Sequence, residues 1–508
     1  MRRIIALLLL ACMVIPLAAC PAATDPSGPS KPGTTPSDKL WQDSIGTYDF
    51  QGGELAISVA DQFEYELFGE ESSQDTLDKL LWERNEALKE RFNVELVSVP
   101  VHTLGEMDQN AHYDAVQKDL MLSVVEYDLI AMFAYQSGKM ITQGYYLDWR
   151  SDIPYCRDSI KAGADWWPKG INDDCTVCGH QYVSVSDICI TAIEMAWCMA
   201  FNKELVDTHN IARKIDNANT MYDIVDSGKW TLQNMYTLLK DFYIPGTNDA
   251  SREDDLYGLL LHSGTGVDAF AFSLGYHYLQ NDAVNPPEMW ELTSGVVSTL
   301  QTLRNLAQSQ GCYYTGVGKL NSYAEQDQFF AERHALFATL TLDQMKTDII
   351  HDMEDKYGVL PYPKLNEAQK KYLTGSQDHY SVLSVPYTNF DFTKVGVVVE
   401  ALSGYNNLNV NDLYYEAIVT HKNTRDPESV RMIDIIMDGR VYDLTTYHYN
   451  ELEVSDEPNG AFGLFFRYCV ANPTKDIASY WSSCLGFLPE DVEDLINDYA
   501  EVAQGIIG

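Results

Sequence analysis

Between Leu55 and Phe133 the chain switches back and forth between two hydrophobic periods, and this alternation restricts the folds open to it more than any other feature of the sequence. Leu55, Ile57 and Val59 repeat at every second residue and predict a strand that ends at Ala60-Asp61. Leu77, Leu80, Leu81, Leu88 and Phe92 then share one helical face, and Asn93 is placed to stop that helix before a second strand over 94–99. A further helix is predicted over 113–124, followed by a continuous apolar strand over 129–133. Strand, helix, strand, helix, strand is the order of a parallel sheet with helices on both faces, an α/β architecture. Such sheets hold ligands beyond the carboxyl ends of their strands, where the strand order reverses. Asp61-Gln62-Phe63 and Ala134-Tyr135 are therefore the expected ligand contacts of this part of the chain.

The N-terminus has the three parts of an export signal: Arg2 and Arg3, an apolar stretch over 4–17, and small residues before Cys20. The stretch is too short for a stable membrane span. The ending Leu17-Ala18-Ala19-Cys20 resembles the bacterial lipobox, which implies a signal peptide over 1–19 and a lipid on Cys20 that anchors the chain to the outer face of the cytoplasmic membrane. The alternative, an ordinary signal peptide with an incidental cysteine, is the less favoured account. Residues 20–47 carry Pro21, Pro26, Pro29, Pro32 and Pro36 among serines and glycines, and so predict a flexible tether.

The remaining stretch of roughly 460 residues fits two domains of ordinary size. A formal charge of −39, with no basic run in the mature part, excludes a nucleic-acid partner, whose phosphates need Lys and Arg. Eight cysteines remain after Cys12 and Cys20, and five of them (Cys156, Cys175, Cys178, Cys189 and Cys198) fall in one region. Buried thiols or disulfides are expected. Cys175-Thr176-Val177-Cys178 could form half of a zinc site completed by Cys156, Cys189, Cys198 or His180, but the second closely spaced pair that would strengthen that reading is absent. No cofactor or metal is assigned.

Beyond residue 150 come aromatic loops and then amphipathic helices, over 231–242 and 296–307. A strand over 335–342 is followed by Asp343 at the mouth of a helix carrying Met345, Ile349, Ile350 and Met353. Pro489 opens a closing helix with Val492, Leu495, Ile496 and Tyr499 on its apolar side.

Several segments together are similar to those of the extracellular solute-binding lipoproteins of bacterial ABC importers. They are Arg84-Asn85-Glu86-Ala87-Leu88-Lys89-Glu90-Arg91-Phe92-Asn93-Val94, Phe201-Asn202-Lys203-Glu204-Leu205, Gly228-Lys229-Trp230-Thr231-Leu232, Tyr357-Gly358-Val359-Leu360-Pro361-Tyr362-Pro363-Lys364 and Val385-Pro386-Tyr387-Thr388-Asn389. Arg425-Asp426-Pro427-Glu428-Ser429 and the run from Asp434 to Leu444 extend the resemblance. It implies a two-lobed, periplasmic-binding-protein-like clamp with a hinge and several interlobe crossings. On that template lobe 1 is 48–150 plus 383–447, and lobe 2 is 151–382 plus 448–508. It also implies a small-molecule solute, an oligosaccharide in preference to a peptide, together with ABC permease subunits as partners, a monomer, and no catalysis. Relatives often carry a calcium loop near the equivalent of Pro245 to Gly258, but here the regular alternation of oxygen ligands and the central glycine are missing, so a solvated turn is expected.

Sugar rings present an apolar face edged with hydroxyls, which suits flat aromatic side chains beside acids and amides. The expected solute contacts are Asp61, Tyr135, Trp166, Trp167, Tyr182, Asp187 and Asp343. Trp166 and Trp167 are included because neighbours on a loop would not both pack against one core face. Two other classes remain in view: an exported glycan-active enzyme, which needs two carboxylates across a cleft, and a surface protein that binds a peptide or protein partner. The Gly-x-Ser-x-Gly and His-Glu-x-x-His patterns are absent, and none of the 74 acidic residues is singled out as a catalytic pair.

Overall fold

The computed structural model describes residues 41–102, 110–124, 126–247, 254–315, 320, 322–419, 426–449, 451–452 and 461–506. Cys20, the tether as far as residue 40 and the centre of the 245–258 loop lie outside this set.

Two sheets organise the chain. The first contains β1 (Gly53–Ala60), β2 (Val94–Val101) and β3 (Leu129–Phe133), with β1 between the other two and parallel to both. In register, Ile57 stands opposite Ser98 on one side and Leu129 on the other. The second is a mixed sheet built on β4 (Trp197–Asn202), β5 (Tyr243–Ile244), β6 (Leu256–Leu261), β9 (Cys312–Tyr314), β10 (Ala335–Thr341) and β11 (Tyr357–Leu360). The chain order between β6 and β9 is filled by a small hairpin, β7 (Leu279–Gln280) with β8 (Glu288–Met289). The second sheet runs β11-β4-β10-β6-β5, with β9 beside β6, and its β10–β6 pair is parallel. The chain then returns to the first sheet, where β12 (Ser381–Ser384) pairs antiparallel with β3.

The helix Thr76–Phe92 forms as its pattern predicts. Asp75 caps it by accepting from the Asp78 amide at 2.9 Å, and Asn93 closes it in the left-handed region at φ 50°. Its buried face carries Leu81, Leu88 and Phe92, and also Arg84. That guanidinium is wholly buried and donates to Leu67 O at 2.6 Å and Asn406 Oδ1 at 3.1 Å, which ties this helix to the buried helix Phe392–Asn409. The second helix, Ala111–Met121, begins two residues before its predicted span and ends three residues short of it. After β10 the expected single helix is replaced by a tight turn, Gln344–Lys346, and a short helix, Asp348–His351. Thr347 is extended between them, and its hydroxyl and Gln344 Nε2 both bond to buried Asp327, which holds the chain out of a continuous helix. The closing helix, Leu488–Ala503, packs against Ala134–Thr142, and Pro427–Asp438 packs on β11.

All eight cysteines in the described residues are free thiols, seven of them buried and Cys178 half-buried. Cys175 Sγ lies 3.0 Å from the Tyr447 hydroxyl, and among the described residues no group of three His, Cys, Asp or Glu could hold a metal ion. No helix of the described residues is long and apolar enough to cross a membrane.

His112 offers a measure of this core. It is fully buried beneath β1, its Nε2 lies 2.9 Å from Ser58 Oγ, its Nδ1 has no partner in the described residues, and burial pushes its pKa down to about 4. A lowered folded-state pKa means that the unfolded chain takes up the proton first. The contribution of this residue is therefore complete above about 6.5 and is lost as pH falls toward 4, by at most about 1.4 kcal/mol per pH unit. Denaturant unfolding of the wild type and of His112→Asn at several pH values should show a flatter acid limb in the variant. Parallel limbs would mean that His112 does not titrate in this window.

Candidate functional site

The chain segments that join the sheets pair with one another. The Trp197 amide donates to Gly375 O at 3.2 Å, the Gln377 amide donates to Met195 O at 2.9 Å, and Ala196 bridges Ser376 in antiparallel sense. This two-stranded ribbon leads into β4 on one side and toward β12 on the other. Gly375 is required in it: a Cβ there would lie 2.7 Å from the Phe272 ring and 2.8 Å from the Trp197 ring.

A cavity of about 250 Å³ rests on the ribbon, with Met195 and Gln377 among its lining residues. Its other walls come from the carboxyl ends of strands in both sheets. Gln62 and Phe63 follow β1, Phe133 ends β3, and Thr341 and Asp343 lie at the end of β10. Tyr323 and Asp327 come from the helix Tyr323–Ala331. The rings form a connected group: Phe63 meets Phe133 edge-on at 4.6 Å, and Phe133 and Tyr135 lie 5.7 and 5.1 Å from the His379 ring.

Asp327 is buried, accepts from Gln344 Nε2 at 2.8 Å and has its pKa raised to about 6 by that burial. Asp343 is also raised, by burial and then by the nearby charge of Glu194. Glu194, which immediately precedes the ribbon, receives hydrogen bonds from Tyr65, Tyr414 and Lys346. One carboxylate thereby gathers the turn that follows β1, the turn that follows β10 and the helix Asn411–Ile418.

A smaller cavity of about 40 Å³ adjoins the first at Gln377. Trp197, Asp268, Asp378 and Arg467 line it. Arg467 Nε reaches both oxygens of Asp268, at 3.2 and 3.0 Å, and Nη2 bonds Asp268 as well. The indole N–H of Trp197 is buried and has no partner in the described residues.

The sequence-predicted residues divide between this site and other places. Asp343 lines the larger cavity. Asp61 stands next to Gln62 with its carboxylate 3.0 Å from His102 Nδ1, and Tyr135 packs on Phe133 and His379. The other four are not brought to these cavities. The Trp166 and Trp167 indoles donate to the two oxygens of Glu400, at 3.0 and 2.8 Å, and the Trp167 ring is buried beside Trp149. A single carboxylate can take both N–H groups, so neighbouring tryptophans do share one anchor. Tyr182 is buried against Tyr499 and borders a separate cavity of about 320 Å³ with His180. Asp187 is buried and accepts from Asn407 Nδ2 at 2.7 Å. Trp197, Tyr323, Asp327, Gln377, Asp378 and Arg467 line these cavities and were not found by sequence reasoning.

No protein-family profile matches the sequence, and no curated protein does. Solved structures match in fold. A cyclo/maltodextrin-binding protein complexed with maltotetraose aligns over 89% of this chain and 99% of its own, with 12% identity and a TM-score of 0.51. A cyclic α-maltosyl-1,6-maltose binding protein from Arthrobacter globiformis aligns over 87% and 98%, with 12% identity and a TM-score of 0.53. The chain has their two-lobed α/β, periplasmic-binding-protein-like fold.

The Glu400 anchor leads to a stability prediction. Trp167→Ala should lower the unfolding free energy by about 3–5 kcal/mol, the usual cost of removing a buried aromatic ring, without changing solute affinity. Chemical denaturation beside a binding isotherm checks both halves, and weakened binding at unchanged stability would move Trp167 into the solute site.

Proposed function

We propose that this chain is a membrane-tethered substrate-binding protein that closes on a small solute, an oligosaccharide in preference to a peptide, and delivers it to an ABC permease. The position of the cavity carries this reading. It lies at the carboxyl ends of strands from both sheets and on the ribbon that joins them. A solute held there touches both lobes and so favours the arrangement in which they are closest, and this differential affinity is the whole work of a clamp. On this reading the chain performs no chemistry on its solute.

The two proteins of like fold are a maltodextrin binder and a binder of cyclic α-maltosyl-1,6-maltose, which supports a saccharide here. The lining supports it as well. Tyr323 and Phe63, the latter backed by the buried Phe133, offer aromatic surface to the apolar side of a sugar, and Asp327, Asp343 and Gln377 offer polar atoms to its hydroxyls. The unpartnered Trp197 N–H wants an acceptor that a sugar oxygen can supply. Export and anchoring rest on the N-terminal segment and Cys20.

The test is thermal unfolding of the protein, freed of bound solute by unfolding and refolding, against oligosaccharides, oligopeptides and small metabolites. A solute that binds only the folded form stabilises it by about 2.7 kcal/mol at a hundred times its dissociation constant. A rise with one saccharide class, compaction in scattering and no product formed are expected. Product formation would replace the receptor with a glycan-active enzyme. For the solute so found, Trp197→Phe keeps a ring but removes the N–H, and affinity should fall by roughly two- to tenfold, the worth of one net hydrogen bond. Unchanged affinity would take Trp197 out of the contact set.

A further inference from the structure

The two adjoining cavities are unbalanced in charge. Asp268, Asp327, Asp343 and Asp378 line them, against a single guanidinium, Arg467. Arg467 is already committed, since its Nε and Nη2 are both spent on Asp268. Three further carboxylates remain, of which Asp378 alone still feels the charge of Arg467. Another cation, Lys346, stands 3.6 Å from Asp343 and offsets part of its charge, but it is shared with the fully buried carboxylate of Glu194 and lies 2.7 Å from the Tyr414 hydroxyl. Asp378 has the His379 ring nitrogen at 2.7 Å and no lysine or arginine among its ion pairs in the described residues. Just outside the cavity, Asp61 adds another carboxylate.

We propose that the cleft is a charge filter that admits neutral or amine-bearing saccharides and rejects those carrying a carboxylate or phosphate, and that Asp327, Asp343 and Asp378 set this selection. The inference rests on the saccharide-receptor reading and narrows its substrate class. Ionised carboxylates are acceptors only, and sugar hydroxyls are donors that match them with charge-assisted hydrogen bonds. A uronate or phosphate group offers only acceptors of the same sign, and it would have to sit near like charge in a cavity where water screens poorly. Burial already raises the pKa of Asp327 and Asp343, so the site bears the cost of its own charge before any solute arrives. A uronate seeking Arg467 would have to displace Asp268 from a cavity of about 40 Å³. The surrounding surface acts in the same direction, since a chain of formal charge −39 depletes anions around it.

The experiment offers the stripped protein a mixed hydrolysate of glucuronoxylan, pectin and starch, which contains neutral and uronate-bearing oligosaccharides together, and identifies the retained sugars by mass spectrometry. Calorimetry then compares the best retained neutral sugar with the same sugar oxidised at a primary alcohol to the uronate. Retention of neutral sugars is expected, with the uronate at least tenfold weaker. In Asp343→Asn and Asp378→Asn, which remove charge while keeping shape, that ratio should narrow at least threefold; melting curves establish that both variants are folded. A steric clash would leave the ratio unchanged in both variants, and that result overturns the filter. Uronate binding within threefold of the neutral sugar overturns it too, while leaving the receptor reading intact. Retention of no saccharide at all overturns both.

Discussion

Two backbone hydrogen bonds between segments distant in sequence, Trp197 to Gly375 and Gln377 to Met195, hold together the passage between the sheets. Much of the site depends on them. The ribbon they form runs into β4 and toward β12, so the register of each sheet is carried to the floor of the cavity. Met195, Trp197, Ser376 and Gln377 are placed as lining residues by backbone pairing as well as by their own packing. The absence of a side chain at Gly375 lets the Phe272 and Trp197 rings close over it. Side chains that approach from the two sheets therefore converge on a floor whose geometry neither sheet determines alone.

Both beside this floor and away from it, the fold gathers buried charge in small hydrogen-bonded groups. Glu194 binds two tyrosines and a lysine, Glu400 binds Ser159 and two indoles, and Arg84 binds a carbonyl and an amide oxygen. Buried ion pairs are weak evidence for stability, because desolvation offsets their attraction. They are demanding about geometry, however, since a partner displaced by one turn leaves a charge unpaired in a poorly hydrated place. Such groups fix how helices from distant parts of the chain seat against one another, and the cavity walls inherit that placement.

Three strands of the first sheet were legible because their order is local: periods of two and three to four residues alternate within one continuous stretch, and the carboxyl-end rule leads directly to Gln62 and Phe63; β12, which joins from far along the chain, was not. The ribbon was not, because its second strand lies far along the chain and Met195-Ala196-Trp197 reads as ordinary core. Asp327 and Arg467 carry no motif; only the fold brings them to the cavities. The placement of Trp166 and Trp167 was not legible: a loop pair reads as having two destinations, whereas one buried carboxylate with two oxygens supplies a single one. The helix expected after Asp343 failed for a similar reason. A tertiary hydrogen bond from Thr347 to Asp327 outweighs the local apolar period.

The buried thiols make this protein a record of its own excursions. Cys156, Cys175, Cys189, Cys198, Cys312, Cys469 and Cys484 sit in helices, strands and loops of both sheet regions, each shielded from solvent. A thiol reagent or oxidant must wait for its neighbourhood to open, so the rate at which each is consumed reports the free energy of that local opening. A chain built this way relies on staying folded to keep its sulfurs apart and reduced, and its chemical lifetime in an oxidising medium becomes a function of how seldom it breathes.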